Sequence, residues 1–182
     1  MGRIYSSTYV SLDGVMESPD SWNHPYFSQE MADLLAAELE TAQGMLLGRS
    51  TYEMFASFFP HQSSDVPFAD LNNNMRKFVV STTLDDAEWN NTTLIKQDVP
   101  ETLRELKKDR DGDLHVSGSA TLVRYLLDQD LLDEVRLVVS PVLVGTGRRL
   151  FMEKASHKAL ELIESKPLPH GVLSLVYRPV VQ

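Results

Sequence analysis

The sequence contains no cysteine, which excludes disulfide stapling and thiolate-held metal centres. Histidine is scarce as well: the five, at positions 24, 61, 115, 157 and 170, show no HxxxH or HxH spacing, so no metal site is expected. Basic residues are outnumbered, 17 Lys and Arg against 26 Asp and Glu, giving a formal net charge of −9. A nucleic-acid-binding surface needs a basic face to displace counterions from phosphates, so no nucleic-acid partner is expected. No apolar run approaches the roughly 20 residues of a membrane-spanning helix, and the N-terminus has no basic-then-apolar leader. The expectation is a soluble cytoplasmic protein with no membrane partner.

What is present suits one well-buried domain over residues 1–182, too short a chain for two comfortable ones. A small anionic ligand stays compatible with the acidic balance, because a few local N–H groups and one or two arginines outweigh a negative global field.

The most informative stretch runs from Leu114 to Phe151. It reads as a buried strand, a Gly118-Ser119 turn, an amphipathic helix with Leu122, Val123, Leu126 and Leu127 on one face, a strand from Glu134 to Ser140, and a glycine-bearing loop. This is a βαβ unit. Its small-residue turn leaves helix-start N–H groups aimed at one point, with the positive end of the helix dipole behind them, and such a place binds anions.

A second corner of the same kind lies earlier. Met45-Leu46-Leu47 is a buried strand, and Gly48-Arg49-Ser50-Thr51-Tyr52-Glu53 follows it; the spacing of Ser50 and Glu53 predicts a capping box. Before it, residues 3–11 read as a first strand entering an Asp13-Gly14 turn. The polar loop that follows carries Glu17 and Trp22, a natural wall for a ligand pocket. Residues 28–42 carry a helical stripe of Met31, Leu34, Leu35 and Leu39. An asparagine-rich polar connection leads to a third buried strand at residues 77–81, whose hydroxyl-bearing end, Ser81-Thr82-Thr83, sits where open α/β sheets bind ligands. A short strand (93–96), a helix (100–108) with Leu103 and Leu106 inward, and a C-terminal antiparallel hairpin (159–165 with 172–177) complete the chain. Eight strands and four helices, mostly alternating, indicate a mixed sheet, parallel in the middle and antiparallel at one edge.

Leu12-Asp13-Gly14, the segment from Leu47 to Glu53, Val79 to Thr83, Val116 to Ser119, and Pro141 to Gly147 together resemble, in order and over nearly the whole chain, the dihydrofolate-reductase-like superfamily. The closer likeness is to the C-terminal reductase domain of bifunctional riboflavin-biosynthesis deaminase-reductases and to stand-alone proteins similar to it. That resemblance implies a single-domain, three-layer α/β fold and an NADPH-dependent reductase of a small heterocyclic or carbonyl/imine substrate. It is similar to 5-amino-6-(5-phosphoribosylamino)uracil reductase; a dihydrofolate or pterin reductase, or a non-catalytic NADPH-binding protein, are the alternatives.

The resemblance also implies site residues. The diphosphate would lie between Arg49-Ser50-Thr51 and Gly118-Ser119-Ala120-Thr121, Ser81, Thr82 and Arg49 would hold the 2′-phosphate, and Gly48, Thr83, Gly145 and Thr146 would also bind the cofactor. Leu12, Asp13 and Trp22 would face substrate, with Asp13 first and Glu17 second as the catalytic acid. The acid that dihydrofolate reductases carry early in their first long helix has no counterpart; Asp33 lies inside the helix, beside Leu34 and Leu35. A homodimer is implied too.

Overall fold

The computed structural model describes residues 2–108, 112–151 and 157–180. Its centre is an eight-stranded sheet in the order β4-β3-β2-β5-β1-β6-β8-β7. The strands are β1 (Ile4–Ser11), β2 (Ala42–Gly48), β3 (Lys77–Val80), β4 (Thr92–Ile95), β5 (Asp113–Ser117), β6 (Glu134–Ser140), β7 (Leu160–Pro167) and β8 (Leu173–Pro179). The first six pair in parallel and the last two are antiparallel, as the sequence predicted. Met45, Leu46 and Leu47 of β2 are all fully buried, which is how an inner parallel strand covered on both faces reads.

The helices are α1 (Pro19–Trp22), α2 (Gln29–Thr41), α3 (Arg49–Phe58), α4 (Ala69–Asn74), α5 (Val99–Lys108) and α6 (Ala120–Asp128). Leu39 of α2 and Tyr52 of α3 pack with Met45, Leu47 and Val79 on one face. Leu103 of α5 and Leu122, Val123 and Leu126 of α6 pack with Ile4, Leu46, Phe78 and Val116 on the other. The fold is therefore three-layered, with side chains alternating between two cores along β2 and β3. No helix among the described residues is long and apolar enough to cross a membrane.

Strand order and register place the site. Leu46 pairs with Val116 and Gly48 with Val80, while Ser7 pairs with Ser117 and Ser11 with Ser140. The C-terminal ends of β3, β2, β5 and β1 thus lie along one rim. The two small-residue corners follow neighbouring strands, β2 and β5.

Two local expectations need correction. Ser50 is not an N-cap: α3 begins at Arg49 and its N-cap is Gly48, extended at φ −84° and ψ 163°, with no side-chain cap bond. The strand feeds straight into the helix, so Ser50 is already in the first turn and no capping box forms. The asparagine-rich connection contains helix α4. Tertiary bonds outweigh its poor propensity: Asn73 Nδ2 donates to the Phe59 carbonyl (2.9 Å) and accepts through Oδ1 from Trp89 Nε1 (2.9 Å). Lys77, at the start of β3, is wholly buried. Its ammonium donates to the nearby carbonyls of Met75 and Asn73 and to that of Asn90, and lies 4.0 Å from the Trp89 ring centroid.

One buried group sets a pH response. His115 on β5 is packed beside the Tyr5 ring (centroids 5.3 Å apart), and its Nε2 has no hydrogen-bond partner among the described residues. Burial, assisted by the Arg136 charge, pushes its pKa down from 6.5 to about 4. The unfolded chain therefore binds a proton that the folded chain refuses between these values, and stability falls as pH drops from 6.5 towards 4. The depressed carboxyl of Asp113 acts only below its ordinary value of 3.8, outside this window. Urea unfolding should lose about 2–3 kcal/mol across the window, and His115→Gln should flatten that slope. An unchanged slope in the variant would assign it to other groups.

Candidate functional site

The two corners interlock. A Cβ on Gly48 would overlap Ser119 Oγ and stand 3.1 Å from Ser119 Cβ; a Cβ on Gly118 would stand 3.1 Å from Thr51 Oγ1. Each corner's glycine makes room for the other corner's hydroxyl residue. Gly118 and Ser119 are both left-handed, at φ +58° and +47°, which turns the chain sharply from β5 into α6. Ser119 Oγ then accepts from Leu122 N–H (3.3 Å) as the helix cap.

Beside this junction opens a cavity of about 600 Å³. One wall is the first turn of α3 (Arg49, Ser50, Thr51) and another the first turn of α6 (Ser119 to Leu122). The first-turn N–H groups of both helices have no intrahelical acceptor, and both dipoles present their positive ends here. Val80, Val99 and Tyr125 supply an apolar flank.

The β3 exit forms the polar end. Ser81 Oγ accepts from the N–H groups of Thr83 (3.2 Å) and Leu84 (3.0 Å), pinning the turn. Arg49 Nη1 donates to Thr83 Oγ1 (3.1 Å), while Arg49 Nε lies 3.8 Å from Glu53. Arg49 and the Ser81-Thr82-Thr83 turn, far apart in sequence, are thus neighbours at the cavity. The arrangement suits an anion held at two helix starts, a planar group against the apolar flank, and a further anionic group near Arg49.

The other end is closed by two loops zipped together, residues 12–17 and 142–150. Leu12 N–H donates to the Val142 carbonyl, Met16 N–H to that of Arg148 (both 2.9 Å), and Leu150 N–H to that of Gly14 (3.0 Å). Asp13 is the clasp. Its carboxylate accepts from the Ser11 hydroxyl (2.6 Å) and from the N–H groups of Val144 (3.1 Å) and Gly145 (2.9 Å). These bonds, the Ser11 hydroxyl first, hold its carboxyl well below the usual carboxylate range.

Residues 3–174 match the RibD C-terminal domain model. The chain belongs to the RibD C-terminal domain family. Among solved structures, a Shewanella sp. PV-4 protein proposed to act in riboflavin biosynthesis superposes with a TM-score of 0.77 at 23% identity, over 98% of this chain and 99% of that one. The Thermotoga maritima diaminohydroxyphosphoribosylaminopyrimidine deaminase/5-amino-6-(5-phosphoribosylamino)uracil reductase gives 0.69 at 14% identity, over 98% of this chain and 57% of that chain. Enterococcus faecalis dihydrofolate reductase, complexed with NADP(H), gives 0.64 at 18% identity, over 98% and 96%. The fold is dihydrofolate-reductase-like, as the motif order implied.

Within this RibD C-terminal domain the residues singled out from sequence fall into two groups. Gly48, Arg49, Ser50, Thr51, Ser81, Thr82, Thr83, Ser119, Ala120, Thr121 and Glu17 line the cavity. Gly118 supports it from behind, through Thr51. Leu12, Asp13, Trp22, Gly145 and Thr146 do not line it: Leu12 is 66% exposed, Trp22 Nε1 donates to the Glu17 carbonyl (2.9 Å), and Gly145 is bonded to Asp13. Asp33 is exposed and accepts from Gln29 Nε2 (2.8 Å). The acid of α2 that faces the sheet is Glu38, bonded to Ser7 and Arg136. Sequence reasoning missed Met16, Val80, Val99, Leu122, Tyr125 and Arg148 as cavity residues. Only Arg148, following Gly147, carried a legible signal, a basic residue in a glycine-bearing loop.

Proposed function

We propose that this RibD C-terminal domain is an NADPH-dependent reductase of a small heterocyclic or carbonyl/imine compound, of the kind represented by 5-amino-6-(5-phosphoribosylamino)uracil. The interlocked corners at Gly48 and Ser119, opening two helix starts onto one cavity, carry the reading. The residues present suit the cofactor: helix-start N–H groups for a diphosphate, Arg49 with the pinned Ser81-Thr83 turn for a 2′-phosphate, and Val80, Val99 and Tyr125 for a ring. Bound there, NADPH supplies a hydride to an electrophilic carbon.

The chain's own contribution is placement and exclusion of water. Asp13 is ionised at neutral pH because its bonds favour the charged form, so it serves the site by placing the 142–150 loop and presenting charge rather than by donating a proton. Purified protein titrated with NADPH and then offered pterins, pyrimidines and carbonyl compounds tests the reading. Cofactor oxidation with a member of the panel supports it. Tight binding without oxidation across all of them would leave a binding protein instead.

A homodimer belongs to the same proposal. The edge strand β7 is exposed along nearly its whole length, a liability unless it is covered. Leu162 pairs with Tyr177, and Leu175 with Leu137, on one face that carries no charged residue on β6, β8 or β7, so it suits an isologous contact with its own copy. Sedimentation should give twice the 20.5 kDa chain mass. A Leu162→Glu variant should run as a monomer, and a wild-type monomer would refute the interface.

A further inference from the structure

The cavity contains a second guanidinium. Arg148 lines it beside Met16 and Glu17, on the β1 side of the α6 corner, whereas Arg49 lies on the β2 and β3 side. Its backbone is firmly held. Arg148 accepts from Met16 N–H (2.9 Å) and donates its own N–H to Glu17 Oε2 (3.0 Å), and Arg149 Nε donates to the Asp13 carbonyl (2.9 Å). Gly147, at φ +115°, leaves a Cβ only 2.9 Å from Val15 Cγ1, so the approach to Arg148 requires glycine. Arg124 of α6 fastens the loop to the corner: Nη1 donates to the Leu150 carbonyl (3.2 Å) and Nη2 to Thr121 Oγ1 (3.4 Å).

The Arg148 side chain is held much less. Its one partner among the described residues is Glu17 Oε1, 3.7 Å from Nη2, and both side chains are about half exposed (56% and 47%). That distance is beyond a hydrogen bond, and an exposed pair of this kind contributes little. A cation placed by a rigid backbone, in contact with a cavity and bound to nothing strongly, can change partner at small cost.

We propose that Arg148 is a phosphate-binding residue of this cavity and that Glu17 is its resident counter-ion, which the ligand's diphosphate replaces. The inference rests on the nucleotide reading above and adds a residue pair to it. Glu17 cannot retreat, because Oε2 stays bonded to the Arg148 N–H. Its charge therefore remains beside the arriving anion, and repels it. Arg148, by contrast, gains charge-assisted and potentially bidentate bonds to phosphate in place of a long contact. Glu17 thus lowers the affinity for the anion.

Arg148→Ala, Arg148→Lys, Glu17→Gln and the Arg148→Ala/Glu17→Gln double variant should be titrated with NADPH, NADH and inorganic diphosphate. Thermal midpoints of all four check that each is folded. Arg148→Ala should weaken NADPH and NADH by the same factor, roughly tenfold, since the diphosphate is common to both, and Arg148→Lys should recover part of the loss. Glu17→Gln, which still accepts the Arg148 N–H, should tighten both roughly two- to threefold, and the gain should vanish in the double variant. Unchanged affinity in Arg148→Ala, or weaker binding in Glu17→Gln, would overturn the proposal. Diphosphate separates it from the cofactor reading. If the wild type binds diphosphate with the same dependence on both residues but neither nucleotide, the cofactor reading fails and this one stands. If no anion binds, both fall.

Discussion

Gly48→Ala is expected to destabilise the fold by about 1–3 kcal/mol and to weaken nucleotide binding more than tenfold. The added methyl would occupy the space of Ser119 Oγ. Rotating that hydroxyl away removes the α6 cap on Leu122 N–H, a loss of about 1 kcal/mol. Rotation alone does not relieve the contact, because Ser119 Cβ stands only 3.1 Å from the new atom. The corners must separate, and the two sets of helix-start N–H groups then no longer converge. Ser119→Gly provides the control. Ser119 sits at φ +47°, where glycine is at ease, so this change costs the cap but not the backbone. In the Ser119→Gly background the cost of Gly48→Ala should shrink markedly, which denaturant unfolding and cofactor titration of the four proteins would measure. An undiminished cost would show that the glycine acts by something other than the interlock.

Arg49→Ala should weaken NADPH roughly ten- to a hundredfold, as expected for hydrogen bonds to a charged group, and leave NADH nearly unchanged. The selectivity follows from placement: the Arg49 guanidinium reaches Thr83 beyond the end of β3, whereas the diphosphate is assigned to the helix-start N–H groups. The fold should barely notice, because Arg49 is half exposed and its contact with Glu53 is 3.8 Å long. Ser81→Ala should act in the same direction but less, since Ser81 Oγ is already engaged by the Thr83 and Leu84 N–H groups and so serves the site by shaping the turn. Equal losses for the two cofactors would remove the 2′-phosphate assignment.

The residues that sequence reasoning read well are those whose surroundings are local or one-dimensional. Val116 to Leu127 announced a strand, a turn and a helix because apolar spacing switches from continuous to a period near 3.6, and the structure has β5, Gly118-Ser119 and α6 there. The misreadings share the opposite character. Ser50 and Glu53 have capping-box spacing, yet the exit direction of β2 starts the helix earlier. Asn72 to Asn74 look like a loop until Phe59 and Trp89 are brought to them. The loop clasp at Asp13 was equally hidden from local pattern: besides the nearby Ser11 hydroxyl, its carboxylate accepts from N–H groups 131 and 132 residues away.

The sequence by itself determined the alternation of strands and helices, the small-residue corners after β2 and β5, the hydroxyl-rich end of β3 and the antiparallel close of the chain, because each of these is written in residues a few positions apart. The tertiary structure alone decided that β2 and β5 are neighbours, that Gly48 makes room for Ser119, that Asp13 clasps a loop and that Arg148 reaches the cavity. Strand order is set by the joint burial of two cores on opposite faces of one sheet. That free energy belongs to the whole chain and leaves no mark in any short stretch of it.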